Sequence, residues 1–124
     1  MFTPIRIFVG LCAAGFAAGA VAANASADSG DERAKIQFFE SEIRPLLVKR
    51  CYECHGEKKQ KAGLRMDHIA HVLTGGDGGP ALVPGKPAES MLIKAIGYKD
   101  EDLQMPPKEE LSAEEKALLE KWVA

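Results

Sequence analysis

The chain has 124 residues and a formal net charge of −2, enough for a single small domain once any address segment is set aside. That mild acidity argues against nucleic acid as a partner. Three cysteines, two of them inside the stretch CYECHG, are too few for the disulfide framework that usually staples a small exported domain.

In chain order, residues 1–27 read as an address. Arg6 precedes an apolar run over 7–21, and small residues offering A-x-A sites come after it, the order of a secretory signal peptide. Cleavage is expected between 22 and 27. A spanning helix needs about 20 strongly apolar residues, and this run is shorter and diluted by Ala and Gly, so membrane attachment is expected only if the segment stays uncleaved. Leu11 stands where a lipoprotein would carry a small residue, so Cys12 is expected to leave with the signal. The remainder, 28–124, is slightly more acidic than the whole chain and forms the expected mature domain.

Over residues 32–54 the apolar positions Ile36, Phe39, Ile43, Leu46, Leu47, Cys51 and Cys54 recur every three or four residues, the period of one helical face. Pro45 interrupts that pattern, which predicts a kink or two abutting helices near Arg44. GEKKQKAGL is a polar loop. Asp67 is placed to cap a short helix, HIAHVL, which GGDGGP ends. Pro87 suits a first helical turn, with Ser90, Met91, Leu92, Ala95 and Ile96 next in line before Gly97. Ser112 and Glu115 form a capping box for a last helix whose buried face is Leu118, Leu119, Trp122 and Val123. Nothing alternates like a strand, so the expected class is all-α, with long irregular connections that need something besides side chains to fold around.

Cys51, Cys54 and His55 carry the chemistry. Thiols at i and i+3 share one face of a helical turn, so both reach neighbouring vinyl groups at a porphyrin edge. The next residue, His55, then projects its imidazole toward the iron. C-x-x-C-H is the attachment pattern of c-type haem. Gly56 lets the backbone turn without a Cβ against the ring. Two alternatives stand beside it. A Cys2His2 zinc site would recruit His68 and His71, but nothing else in the chain resembles a finger. A thiol redox pair would sit after a strand in a βαβ unit, and no strand precedes Cys51.

Candidates for the iron's sixth ligand are Met66, Met91, Met105, His68 and His71. Met91 lies among core residues of a helix face, and Met66 is too near His55 in the chain to reach the far side easily. A bis-histidine arrangement through His68 or His71 stays open. Met105 stands in LQMPPK, where the residue before proline is held extended and two prolines stiffen the loop beyond it, which makes it the preferred ligand.

The blocks IRPLLVKRCYECHG, LRMD, GGDGGPALVPGKPAESMLIKAI, QMPPKEELSAEE and the closing KWV together resemble the planctomycete-type cytochrome c domain, a branch of the class I c-type cytochromes. The resemblance implies a small helical fold wrapped round one covalently attached haem c, with first and last helices crossing. It implies Cys51 and Cys54 as thioether attachments and His55 and Met105 as axial ligands. It also implies that the Pro80 carbonyl, in Gly79-Pro80-Ala81-Leu82, accepts a hydrogen bond from the proximal histidine. Family members often place a glycine where the terminal helices cross; here Phe38 or Phe39 is expected to meet Trp122 directly. Such domains often open a larger protein, so fusion to or assembly with an enzyme is a further expectation.

With both axial positions filled, the expected function is outer-sphere electron transfer outside the cytoplasm, in the periplasm or its equivalent, and not catalysis. His/Met ligation raises the potential by favouring ferrous iron. The redox partner would dock either on the lysines 58, 59 and 61 or on the acids of YKDED and KEELSAEE. The competing function is a haem-based sensor or catalytic domain in which Met105 dissociates and a small ligand binds; the zinc or thiol module is the remote one.

Overall fold

The computed structural model describes residues 25–124, so the expected leader and its cleavage sites fall almost wholly outside the described residues. The described chain is helical and contains no strand, as the sequence pattern predicts. In order, α1 spans Ala25–Phe38, a π-helical segment spans Phe39–Ile43, α2 spans Arg44–Arg50, α3 spans Ile69–Thr74, α4 spans Met91–Ile96 and α5 spans Ala113–Val123. Short 3-10 turns at Lys61–Gly63, Pro87–Glu89 and Glu101–Leu103 punctuate the connections.

The break expected at Pro45 takes the form of that π segment. Proline has no N–H to offer, and its ring crowds the carbonyl four residues back. The helix widens just before it: the Arg44 N–H bonds to the Phe39 carbonyl, five residues away, and Pro45 falls in the first turn of α2. Ile36 departs from the expected inward face and is exposed, as are all residues from 29 to 37. Burial begins at Phe38, where the Lys121 ammonium lies 4.5 Å from the ring centroid, because α5 reaches no farther along α1.

The N-terminal helical run and α5 cross at the π segment. Phe39 meets Trp122 there, ring centroids 5.5 Å apart and tilted by 38°. Two aromatic rings now occupy a crossing where glycine would bring the backbones closer. Beneath it Ile43, Leu46, Leu47, Leu119 and Val123 join Val72, Leu82, Leu92, Ile96 and Leu111 in one core.

Local capping agrees with the sequence at α5 and departs from it at α3. Ser112 accepts from the Glu115 N–H at 3.2 Å while the Glu115 carboxylate accepts from the Ser112 N–H at 3.0 Å, the full capping box. At α3 the cap is His68, whose Nδ1 accepts from the Ala70 N–H at 3.2 Å. Asp67, expected in that role, pairs instead with Arg65 through two bonds of 2.8 and 2.6 Å. A guanidinium fork two residues away is a stronger partner for a carboxylate than a single backbone N–H. Gly75 then ends α3 with φ +79, and a Cβ there would collide with the Gly79 carbonyl.

Candidate functional site

The regular helix stops at Arg50, four residues before the apolar period would end it, and hydrogen-bonded turns carry the chain through the motif. The Cys51 carbonyl accepts from both the Cys54 N–H (3.1 Å) and the His55 N–H (2.9 Å). This keeps Cys51 and Cys54 one helical turn apart, the spacing the attachment chemistry needs. Gly56 closes the turn, its N–H bonding to the Lys59 carbonyl at 2.9 Å. Its lack of a side chain matters for a reason other than the one expected: a Cβ would lie 2.5 Å from the Tyr52 carbonyl oxygen, inside the turn itself. Downstream, the Met66 N–H bonds to the His55 carbonyl at 2.7 Å, so the histidine's backbone is pinned on both sides.

Cys51, Cys54 and His55 border one cavity of about 370 Å³, within the roughly 300–1,000 Å³ usual for cofactor and small-molecule sites. Its walls are largely apolar: Leu64, Met66, Ala81, Leu92, Ile96 and Leu111 among them. Met105 borders the same cavity from the loop between the 101–103 turn and α5, and its side chain is partly exposed at the rim. The loop is registered on α4 by the Met105 N–H, which donates to the Ala95 carbonyl at 3.1 Å. The Tyr98 hydroxyl donates to the Pro106 carbonyl beside it. Tyr98 itself takes a positive φ of 56°, which no local sequence signal announces.

The remaining ligand candidates separate. Met66 and Met91 also border the cavity, Met66 as a core residue 4% exposed and Met91 half-buried. His68 and His71 do not border it; their rings stand edge to face, 5.7 Å apart, and His68 lines a smaller hollow beside Arg44 and Trp122. Among the described residues no three His, Cys, Asp or Glu side chains gather as a metal site, so the Cys2His2 arrangement does not form. Burial pushes the Cys51 thiol up to about 11, the opposite of the lowered value that a thiol redox pair uses.

His55 is 9% exposed, and its Nδ1 is buried with no hydrogen-bond partner. The Pro80 carbonyl makes no bond to that nitrogen; Pro80 is exposed, and its neighbours Gly79 and Ala81 border the cavity. An imidazole held by its backbone, next to two thiols and bordering the same apolar hollow as several thioethers, fits a covalently held haem as a donor set. It suits neither a hard cation, which needs oxygen ligands, nor a polar substrate.

The charges that border the cavity are Lys49, Arg50, Glu53, Lys108 and Glu109, all at its rim. Sequence reasoning missed Arg50 and Tyr98. The arginine abuts the motif, but its partners lie about 60 positions away in sequence, at Glu109 and Glu110.

Among the described residues no helix is long and apolar enough to cross a membrane. Neither a curated protein nor a solved structure matches the chain. The family model described as Planctomycete cytochrome C matches residues 51–109, which begins at the first motif cysteine and ends in the loop beyond Met105. That stretch holds the thiols, the imidazole and the thioether that border the cavity, and its match bears out the resemblance of this segment to the planctomycete-type cytochrome c domain.

Proposed function

We propose that this protein is an electron-transfer domain carrying one haem c, attached through thioethers to Cys51 and Cys54, with His55 and Met105 as axial ligands. The observation that supports it most is the convergence of those four side chains on a single apolar-walled cavity. When bound, haem supplies a one-electron iron couple. The protein's part is to hold and to shield. Cys51 and Cys54 would fix the group's edge, the buried His55 ring would present one nitrogen, and the apolar walls would exclude water and favour the less charged ferrous state.

Filling both axial positions leaves no place for substrate on the metal, which makes a carrier the better reading and an enzyme the poorer one. The exposed lysines 58, 59 and 61 come directly after the attachment turn and offer a positive approach for an acidic redox partner. Covalent haem attachment is an extracytoplasmic process, so the working compartment is the periplasm or its equivalent.

Coexpression with haem-attachment machinery tests this. Haem that stays on the polypeptide through denaturation, and is lost from the Cys51→Ala/Cys54→Ala double variant, is the expected result. Matured protein without covalent haem would overturn the proposal. Carbon monoxide binding readily to the unaltered ferrous protein would favour a sensor with a labile Met105.

A further inference from the structure

The loop that carries Met105 is tied down at two points, and the second is an arginine that belongs to the attachment segment. Near Met105 the Ala95 and Tyr98 bonds hold residues 105 and 106. Beyond it the chain has no helix until Ala113. There the Arg50 guanidinium reaches across from the last turn of α2. Its Nη1 donates to the Glu109 carboxylate at 2.9 Å, and its Nη2 donates to the carbonyls of Glu110 at 3.0 Å and Glu109 at 3.3 Å. The Glu115 carboxylate, already half of the α5 capping box, stands 3.7 Å from Nη2.

We infer that Arg50 is a positioning residue for the sixth ligand: it latches the Met105 loop to the segment that ends in Cys51, and so sets how often the thioether leaves the iron. The inference rests on the reading of Met105 as ligand. The weight lies with the carbonyl bonds. Glu109 is 78% exposed, and an ion pair to so exposed a carboxylate contributes little. The Arg50 side chain is only 13% exposed, and although the two carbonyls belong to exposed residues, bonds from a guanidinium are charge-assisted and stronger than neutral ones. The planar fork serves two successive carbonyls and a carboxylate together, a geometry that an ammonium cannot copy. Arg50 immediately precedes Cys51, so the latch joins both sides of the cavity mouth, with Arg50, Met105 and Glu109 all on its border.

Exogenous imidazole titrated into the ferric, haem-loaded protein reads this directly. It binds where Met105 has left, so its apparent affinity is the intrinsic affinity scaled by the open fraction. Arg50→Met keeps the packed stem and removes the fork; imidazole affinity is expected to rise about tenfold. Arg50→Lys should give an intermediate rise, and Glu109→Gln, which leaves the attachment helix untouched, about two- to threefold. Glu40→Gln, which cuts an exposed pair elsewhere, should change nothing. In a Met105→Ala background the effect of Arg50→Met must vanish, because there is no thioether left to displace; a general loosening of the fold would persist there. If Arg50→Met and Glu109→Gln both titrate as the parent does, the latch is refuted. If Met105→Ala binds imidazole no more tightly than the parent, it is the ligand reading that fails.

Discussion

Met105 donates its backbone N–H to the Ala95 carbonyl at 3.1 Å, so a loop residue is registered against α4 independently of its own side chain. The side chain can be removed without releasing the loop. Met105→Ala should therefore keep covalent haem and fold stability, since the residue is about one-third exposed and little packing is lost. The sulfur-to-iron charge-transfer band should disappear, and the midpoint potential should fall. Absorption spectroscopy and a redox titration check this; an unchanged spectrum would transfer the ligand role to Met66 or Met91.

Gly56 sits where a Cβ would lie 2.5 Å from the Tyr52 carbonyl oxygen. The obstacle is backbone inside a tight turn, which cannot swing aside as a flexible side chain would. Gly56→Ala should destabilise the domain by about 1–3 kcal/mol, the usual cost of overpacking. Urea unfolding of the matured protein should show a lower midpoint with the same slope.

Ser90 is fully buried and joins the loop before α4 to the loop after Ala81. Its Oγ accepts from the Val83 N–H at 2.9 Å and donates to the Lys86 carbonyl at 2.9 Å. Ser90→Ala takes the acceptor from the half-buried Val83 N–H and leaves a buried methyl in place of the hydroxyl, while the Lys86 carbonyl keeps its bond from the Glu89 N–H at 3.1 Å. A loss of about 1–3 kcal/mol is expected, again from urea midpoints.

Arg65, by its side-chain hydrogen bonds and then its charge, holds the Asp67 carboxyl below the ordinary value of 3.8. A depressed carboxyl contributes stability that is present above its unfolded value and lost as pH falls through the folded one. Asp67→Asn should therefore be less stable than the parent at neutral pH, and the gap should close below about pH 4. Thermal unfolding monitored from pH 7 to pH 3 tests the sign; a gap that widens in acid would contradict it.

How much of this is legible in the sequence varies with the range of the interactions. The helical class, the capping box at Ser112 and Glu115 and the break at Pro45 come from residue type and local period, which act over a few positions or along one face, whereas the meeting of Phe39 with Trp122 follows from the crossing of terminal helices that the family resemblance implies. The Cys51, Cys54 and His55 spacing is likewise local, which is why one turn of sequence announces the cofactor chemistry. The cap of α3 escapes a local reading because two local partners compete for Asp67, and the guanidinium two residues back wins. The outward turn of Ile36 on α1 escapes it because periodicity records a helix but not where its packing partner ends: Ile36 lies beyond the reach of α5.

By itself the sequence determined the chemistry at one end of the site, because two thiols and an imidazole in five residues need only a helical turn to converge. Tertiary structure alone decided the rest. It brought Met105, about fifty residues on, to the same cavity by a backbone bond to α4, and set Arg50 against Glu109 and Glu110. Those are contacts between segments far apart in the chain, fixed by how helices and loops close on one core, and no local pattern encodes them.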